Sequence, residues 1–476
     1  MKKILSLVLC VLLSCTCFAA CGEADSGKVV ICIDTINNDT QVVESFLRWL
    51  DDCHQYLGLS ISSEDVEVEL LPNFTYDKLT ERSAVLQRLR AEIMAGKGPD
   101  LFLCTTISGS GTGGELYSMS MDRLFPYVEK SRESGIFLPL DEYLPNLTLT
   151  KIDEMIPQVL AGGKNQKGEQ VILPLMFTVP GVIYSVEKGA ELPKVKFEGA
   201  SWNDVIRGDD PLLREQANWA LNYRNSWDGI KGGHDSGLSW LIPQAADFEN
   251  EELFFSEEEL FGLVKDSLAA YQRAMAEDTA SSGSSVFLSP NNISNRGLFL
   301  GDRMMDFSFS LMDFDFSLAP LRNLEGSSTA VVTQYCAVNA NTKRAEKALA
   351  VIDALLCRDY QKDGRLYDYF EEMPLYRDLN AGSPERNELW RFNEEQEETW
   401  HKICEDINIV RFPSPLDHEL DSMMADIEDA MIESLPPDPE RSFRDGRLAE
   451  CTISDEKLAE IVSEHYQTMR RLLDES

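Results

Sequence analysis

Basic residues are scarce in this sequence: 44 Lys and Arg stand against 81 Asp and Glu, a formal net charge of −37 over 476 residues. Such a chain repels polyanions, which excludes a nucleic-acid binder of the electrostatic kind and adhesion to an anionic bilayer through a polybasic face. Histidine is scarcer still. His54, His234, His401, His418 and His465 are dispersed and form no HExxH pair, so a zinc-peptidase helix is missing. There is no GxSxG turn to expose a nucleophilic serine. None of the 11 cysteines forms a CxxC pair, the usual spacing for zinc or a redox dithiol. No apolar run after the first 20 residues is long enough to span a membrane. What remains is ordinary globular usage, 43% hydrophobic and 26% charged with 29 Gly and 20 Pro, on a chain long enough for two or three domains.

The first 20 residues are the most specific local feature. Met1-Lys2-Lys3 is a short basic start, Ile4 to Leu13 is almost unbroken apolar sequence, and Phe18-Ala19-Ala20 precedes Cys21-Gly22. That is the pattern of a secretory signal. Small residues ending in Cys resemble a bacterial lipobox, whose cysteine thiol receives a diacylglycerol, and Cys21 is the expected lipidation site. Leu12-Leu13-Ser14-Cys15 is a competing match. Removing residues 1–20 takes away two lysines and no acid, so the exported part carries −39. Seven cysteines then remain besides Cys21: Cys32, Cys53, Cys104, Cys336, Cys357, Cys404 and Cys451. Several lie in apolar runs, which predicts buried free thiols.

Beyond a polar tether at 22–27, Lys28 to Ile33 is an apolar strand closed by the turn cluster Asp34 to Asp39. A helix with Val43, Phe46, Leu47 and Leu50 on one face follows, then a strand at 66–71. A second helix carries Leu79, Leu86, Leu89 and Ile93 and ends at Ala95-Gly96; Leu101 to Leu103 is a third strand. Buried strands alternating with helices predict a parallel doubly wound sheet, whose ligands sit at the carboxyl ends of the strands. Later come a strand at 330–338, a helix with Ala345, Ala348, Leu349, Ile352 and Leu356 on one face, and an acidic helical tail. There Met424, Ile427, Met431 and Leu435 form a stripe, which at this spacing reads as core. Gly109 to Gly114 matches GxGxxG, but it follows the third strand and opens no helix, so it reads as a flexible loop.

Residues 90–103, ending in Gly-Lys-Gly-Pro-Asp-Leu-Phe-Leu, resemble the helix–GxGPD–strand segment of the extracellular solute-binding proteins that serve ABC importers, in their sugar-binding branch. Leu138 to Leu144, Ile172 to Leu175 with Val182 to Tyr184, Ser201 to Val205, Leu298 to Met305, Leu318 to Leu321 and Glu372 to Tyr376 are similar to further pieces of that family, in the same order. The resemblance covers roughly residues 28–380. It implies an α/β, two-lobe periplasmic-binding-protein-like fold of class II. Each lobe is a sheet flanked by helices, and the ligand cleft lies at the hinge. The N-lobe would be 28–177 with 317–343, and the C-lobe 178–316 with 344–476, hinged near Leu175–Thr178 and Leu318–Pro320. The aspartate of the GxGPD segment, Asp100, is structural in that family.

The ligand contacts implied by the resemblance are Asn37 and Asn38 after the first strand, Thr105, Thr106 and Ser108 after the third, and Thr178 at the hinge. Asp235, Trp240, Ser308 and Phe309 complete the set. Hydroxyls, amides and an acid suit a sugar's hydroxyls, and aromatic faces stack on its C–H face. The loop from Thr105 to Ser108 contains no Lys or Arg. The expectation is therefore a receptor that captures a small solute of the carbohydrate class and hands it to ABC importer permease subunits. It would be held to the outer face of the cytoplasmic membrane by lipid alone, with no nucleic-acid partner. Neither a cofactor, a metal nor a catalytic residue is called for. A receptor for a peptide or another small polar solute, a secreted carbohydrate-active enzyme and a surface lipoprotein without transport function stay open as alternatives.

Overall fold

Strand β1 (Val29–Asp34) is the first apolar run, and it lies inside the molecule because helices cover both of its faces. A computed structural model describes residues 27–34, 40–73, 78–106, 123–187, 242, 244–248, 250–277, 293–294, 299–300, 314–320, 322–363, 373–379, 392–434 and 452–474. Helix α1 (Thr40–Asp52) buries Phe46 and Leu50 with Val43 and Leu47 half-covered, the face its spacing predicts. It runs into a π turn at Cys53–Leu57, which Gly58 stops at φ 77°, a left-handed conformation that favours glycine. Strand β2 (Val66–Leu70) pairs parallel with β1. Helix α2 (Leu79–Met94) returns across the opposite face, burying Leu86, Leu89 and Ile93. After it, β3 (Leu101–Thr105) enters parallel to β1 on its other edge. Side chains of β1 and β3 alternate between the two layers: Ile31, Ile33, Leu101 and Leu103 face the α1 side, Cys32, Phe102 and Cys104 the α2 side. This is the parallel doubly wound unit predicted from the sequence.

The short helices α3 (Val128–Glu133) and α4 (Pro157–Ala161) lead to β4 (Leu173–Glu187), a continuous strand of 15 residues. A small hairpin, β5 (Ala246–Asp247) with β6 (Glu252–Leu253), precedes helix α5 (Glu257–Glu277). The short strands β7 (Ile293–Ser294) and β8 (Phe299–Leu300) and the longer β9 (Phe314–Pro320) all pair antiparallel with the outer half of β4. Strand β10 (Ser328–Val338) is buried at every position. It lies between β3 and the inner half of β4, antiparallel to both. The chain closes with α6 (Ala345–Leu356), α7 (Arg358–Asp363), β11 (Met373–Pro374), α8 (Glu394–Glu405), β12 (Ile407–Arg411), α9 (Pro415–Glu433) and α10 (Asp455–Asp474). The result is mixed α/β, a ten-stranded sheet with the path β11-β4-β10-β3-β1-β2, flanked by helices.

The packing departs from the expected boundary at 344. Ala348 and Ile352 of α6 and Trp400 and Ile403 of α8 share one buried cluster with Ile31 and Phe46, and β12 pairs parallel with β10. The chain therefore stays with the first sheet through Arg411. Helix α6 is apolar nearly all round, so it needs cover on two sides, and the sheet with α1 supplies it. Only the last helices join a separate cluster, where Leu420 and Ile427 of α9 and Ile461 and Val462 of α10 meet Leu260 and Val264 of α5. Met424 and Met431 lie in it, as core. The six described cysteines are buried and free, in line with the sequence reading; Cys451 lies outside the described residues.

Candidate functional site

The parallel strands end at a buried ionic cluster. Asp34, the last residue of β1, is 1% exposed; its Oδ1 accepts from Arg82 Nη2 at 2.5 Å and its Oδ2 from the Leu124 amide at 2.9 Å. Arg82 is fully buried and also donates to the Pro72 carbonyl at 2.7 Å. A second cation, Arg123, turns its Nη1 onto the Thr105 carbonyl at 2.5 Å and the Thr105 Oγ1 at 3.1 Å. Arg90 of α2 holds the segment carrying Arg123 in place, bonding the carbonyls of Arg123 and Leu124. Asp34, Thr105 and Arg123 border a small cavity of about 30 Å³ that Cys104, Thr106, Tyr335, Phe125 and Ser414 also line. That volume holds one or two waters, so it is the floor of a site rather than a finished pocket.

Burial sets the charges here. It pushes the Cys104 thiol and the Tyr335 phenol well up, with Asp34 adding to both, so each is neutral at pH 7. It also pulls Arg123 down, helped by Arg82 and opposed by Asp34. Two guanidinium groups and one carboxylate thus meet where the sequence offered hydroxyls alone.

Strand β10 forms the other wall. Thr106 donates through its amide to the Thr333 carbonyl at 2.7 Å and through its hydroxyl to the Val332 carbonyl. Against β4, the register slips twice: Thr333 is the extra residue on β10 and Leu175 the extra residue on β4. Bulges of this kind bend strands and re-aim side chains. These two stand beside the stretch Leu175–Thr178 that the sequence marks as a hinge. The Thr333 hydroxyl is buried with no hydrogen-bond partner among the described residues.

Of the site residues expected from the sequence, Thr105 and Thr106 come together on the cavity, although their hydroxyls also serve Arg123 and β10. Thr178 is buried opposite Val331, across the sheet, and does not line the cavity. Asn37, Asn38, Ser108, Asp235, Trp240, Ser308 and Phe309, the lipidation candidate Cys21 and the Gly109–Gly114 loop lie outside the described residues. Sequence reasoning missed Asp34, Arg82, Arg123, Tyr335 and Ser414. Two of them had a signal. Asp34 directly ends the first buried run, and Arg82 occupies a place in the otherwise apolar series 79, 86, 89, 93. Arg123 and Ser414 had none, because only folding brings them to Thr105.

No protein-family model and no curated protein sequence matches the chain. Solved structures with a similar chain course include a cyclic α-maltosyl-1,6-maltose binding protein from Arthrobacter globiformis, at 12% identity and a TM-score of 0.47, covering 94% of this chain and 100% of that one. An ABC transporter solute-binding protein from Agrobacterium radiobacter K84 in complex with ribitol has 12% identity and a TM-score of 0.47, covering 94% and 99%. A designed esterase has 12% identity and a TM-score of 0.49, covering 94% and 98%. At these values the likeness is one of chain course, and nothing about ligand or chemistry passes with it.

Proposed function

We propose that this chain is a solute-binding receptor of an ABC importer. In this reading it captures a carbohydrate between two lobes, passes it to the permease, and is tethered outside the cytoplasmic membrane through Cys21. The observation that carries the reading is the polar floor at the carboxyl ends of β1 and β3. Asp34, Thr105, Thr106 and Arg123 converge there, beside the bulges from which β4 runs outward to pair with β9. Ligands of doubly wound sheets bind at such ends. A guanidinium, hydroxyls and a carboxylate can together satisfy the alternating donors and acceptors of a sugar. The family resemblance of residues 28–380 points the same way, toward binding rather than turnover.

A thermal-shift screen of the full chain against neutral oligosaccharides, sugar acids and peptides tests this, because a ligand that binds only the folded state raises its melting temperature. A sugar should raise it and be recovered chemically unchanged. A shift from peptides alone, or hydrolysis of the sugar, sinks the reading. Anchoring has its own test: Cys21→Ser should release the protein from the membrane fraction, whereas release only on Cys15→Ser moves the lipid to the competing box.

A further inference from the structure

Cys53 and Cys357 are 304 residues apart in sequence, yet both belong to one buried cluster, 0% and 3% exposed. Trp49, one helical turn before Cys53, donates its indole N–H to the Ala354 carbonyl at 3.0 Å, and Cys357 Sγ donates to the same carbonyl at 3.2 Å. The Trp49 ring also stands 5.5 Å from that of Tyr360 on α7. These contacts fix the end of α1 against the end of α6. We propose that Cys53 and Cys357 close into a disulfide when the chain folds in an oxidising compartment, tying α1 to α6 under the first sheet.

The two thiols lie close enough to shift one another's titration. The neighbouring Cys53 and the Tyr360 amide favour the Cys357 thiolate against the effect of burial, while Cys357 and burial push Cys53 up. The thiolate of one cysteine displaces one thiolate from a low-molecular-weight disulfide, giving a mixed disulfide. The other cysteine then loses its proton and attacks that protein sulfur, expelling the second thiolate. One S–S bond forms, one breaks, and the oxidant leaves as two thiols. Closing to an S–S bond of about 2.05 Å asks for side-chain rotation at both cysteines. Burial confines the reaction to folding or local opening. The leader-like first 20 residues would send the chain where disulfides persist. Other cysteines are arranged differently: Cys32 faces Phe102 in the parallel ladder, and Cys336 faces Leu103.

The test is to refold the reduced full chain in mixed reduced and oxidised glutathione, alkylate the remaining thiols and map the peptides. The expected product is a peptide linked through Cys53 and Cys357, with a melting temperature roughly 5 °C above that of the dithiothreitol-treated protein. Cys53→Ser and Cys357→Ser should each abolish both signals. The mapping of the unaltered chain decides the matter even where a variant fails to fold. Cys53 and Cys357 both recovered alkylated, or either one linked to a different cysteine, overturns the proposal.

Discussion

The two ends of the β1–β3 pair each hold a buried aspartate, and the two carboxylates are used differently. At the amino ends, Asp100 accepts from the Val30 amide at 2.8 Å, from Thr342 Oγ1 at 2.5 Å and from Arg344 Nη1 at 3.3 Å. Its own backbone pairs with Val30 and Asn339, and the Asn339 side chain reaches the carbonyls of Lys97 and Pro99. β1, β3 and the end of β10 are thus clasped by one carboxylate. At the carboxyl ends, Asp34 has Arg82 and one amide, with a second cation and a cavity beside it. A carboxylate held by donors from β1 and from the turn after β10 is consumed by the fold. One that shares its surroundings with a second guanidinium and a small cavity can still act on a visitor.

The largest way to break this comparison is Arg82→Met. Removing one partner of a buried pair strands the other charge, so stability should fall by about 3–5 kcal/mol in urea titration. A loss under about 1 kcal/mol would mean that water already reaches Asp34. Next is Asp100→Ala at the clasped end, expected to cost about 2–3 kcal/mol as charge-assisted hydrogen bonds are lost, with ligand affinity unchanged in calorimetry. A tenfold loss of affinity there would erase the distinction between the two ends. Smaller is Thr105→Val. Arg123 keeps the Thr105 carbonyl but loses the hydroxyl, so stability should drop by about 1 kcal/mol. Affinity for a ligand seated on this floor should fall roughly tenfold; unchanged affinity would move the site elsewhere.

The smallest effect lies away from both ends and serves as their control. His465 on α10 bonds Glu419 at 2.7 Å and Asp426 at 3.0 Å on α9. Burial disfavours its charged ring, but those two carboxylates outweigh it and raise its pKa. A raised folded-state value stabilises fully below the ordinary histidine value of about 6.5 and fades as pH climbs through the raised value. His465→Gln should therefore destabilise at pH 5.5, by under about 1 kcal/mol because Asp426 is largely exposed, and have little effect at pH 8.5. An equal loss at both pH values would show packing, not charge, to be what the ring supplies.

The turn before Asp100 was legible in the sequence; the distant partners of its carboxylate, like those of Asp34, were not. Gly96 and Gly98 take φ 72° and 93°, which is why glycines flank Lys97 before Pro99-Asp100. Local turn chemistry of that kind is written in consecutive residues. The helical series of α1 and α2 were likewise readable, because one face of each must meet the sheet. The assignment of α6 and α8 was not. An apolar helix shows that it is buried without showing beneath which layer.

The sequence by itself determined the alternation of buried strands and helices, the parallel order of the first unit and the burial of the described cysteines. Each follows from periodicity or from neighbours a few residues apart. Only the tertiary structure decided that Arg123 would stand against Thr105, that β10 would run antiparallel between β3 and β4, and that Cys53 and Cys357 would share one buried cluster. Those arrangements bring together residues from 18 to 304 apart in sequence. Their partners are chosen by the shape and charge of surfaces that exist only once the strands have paired.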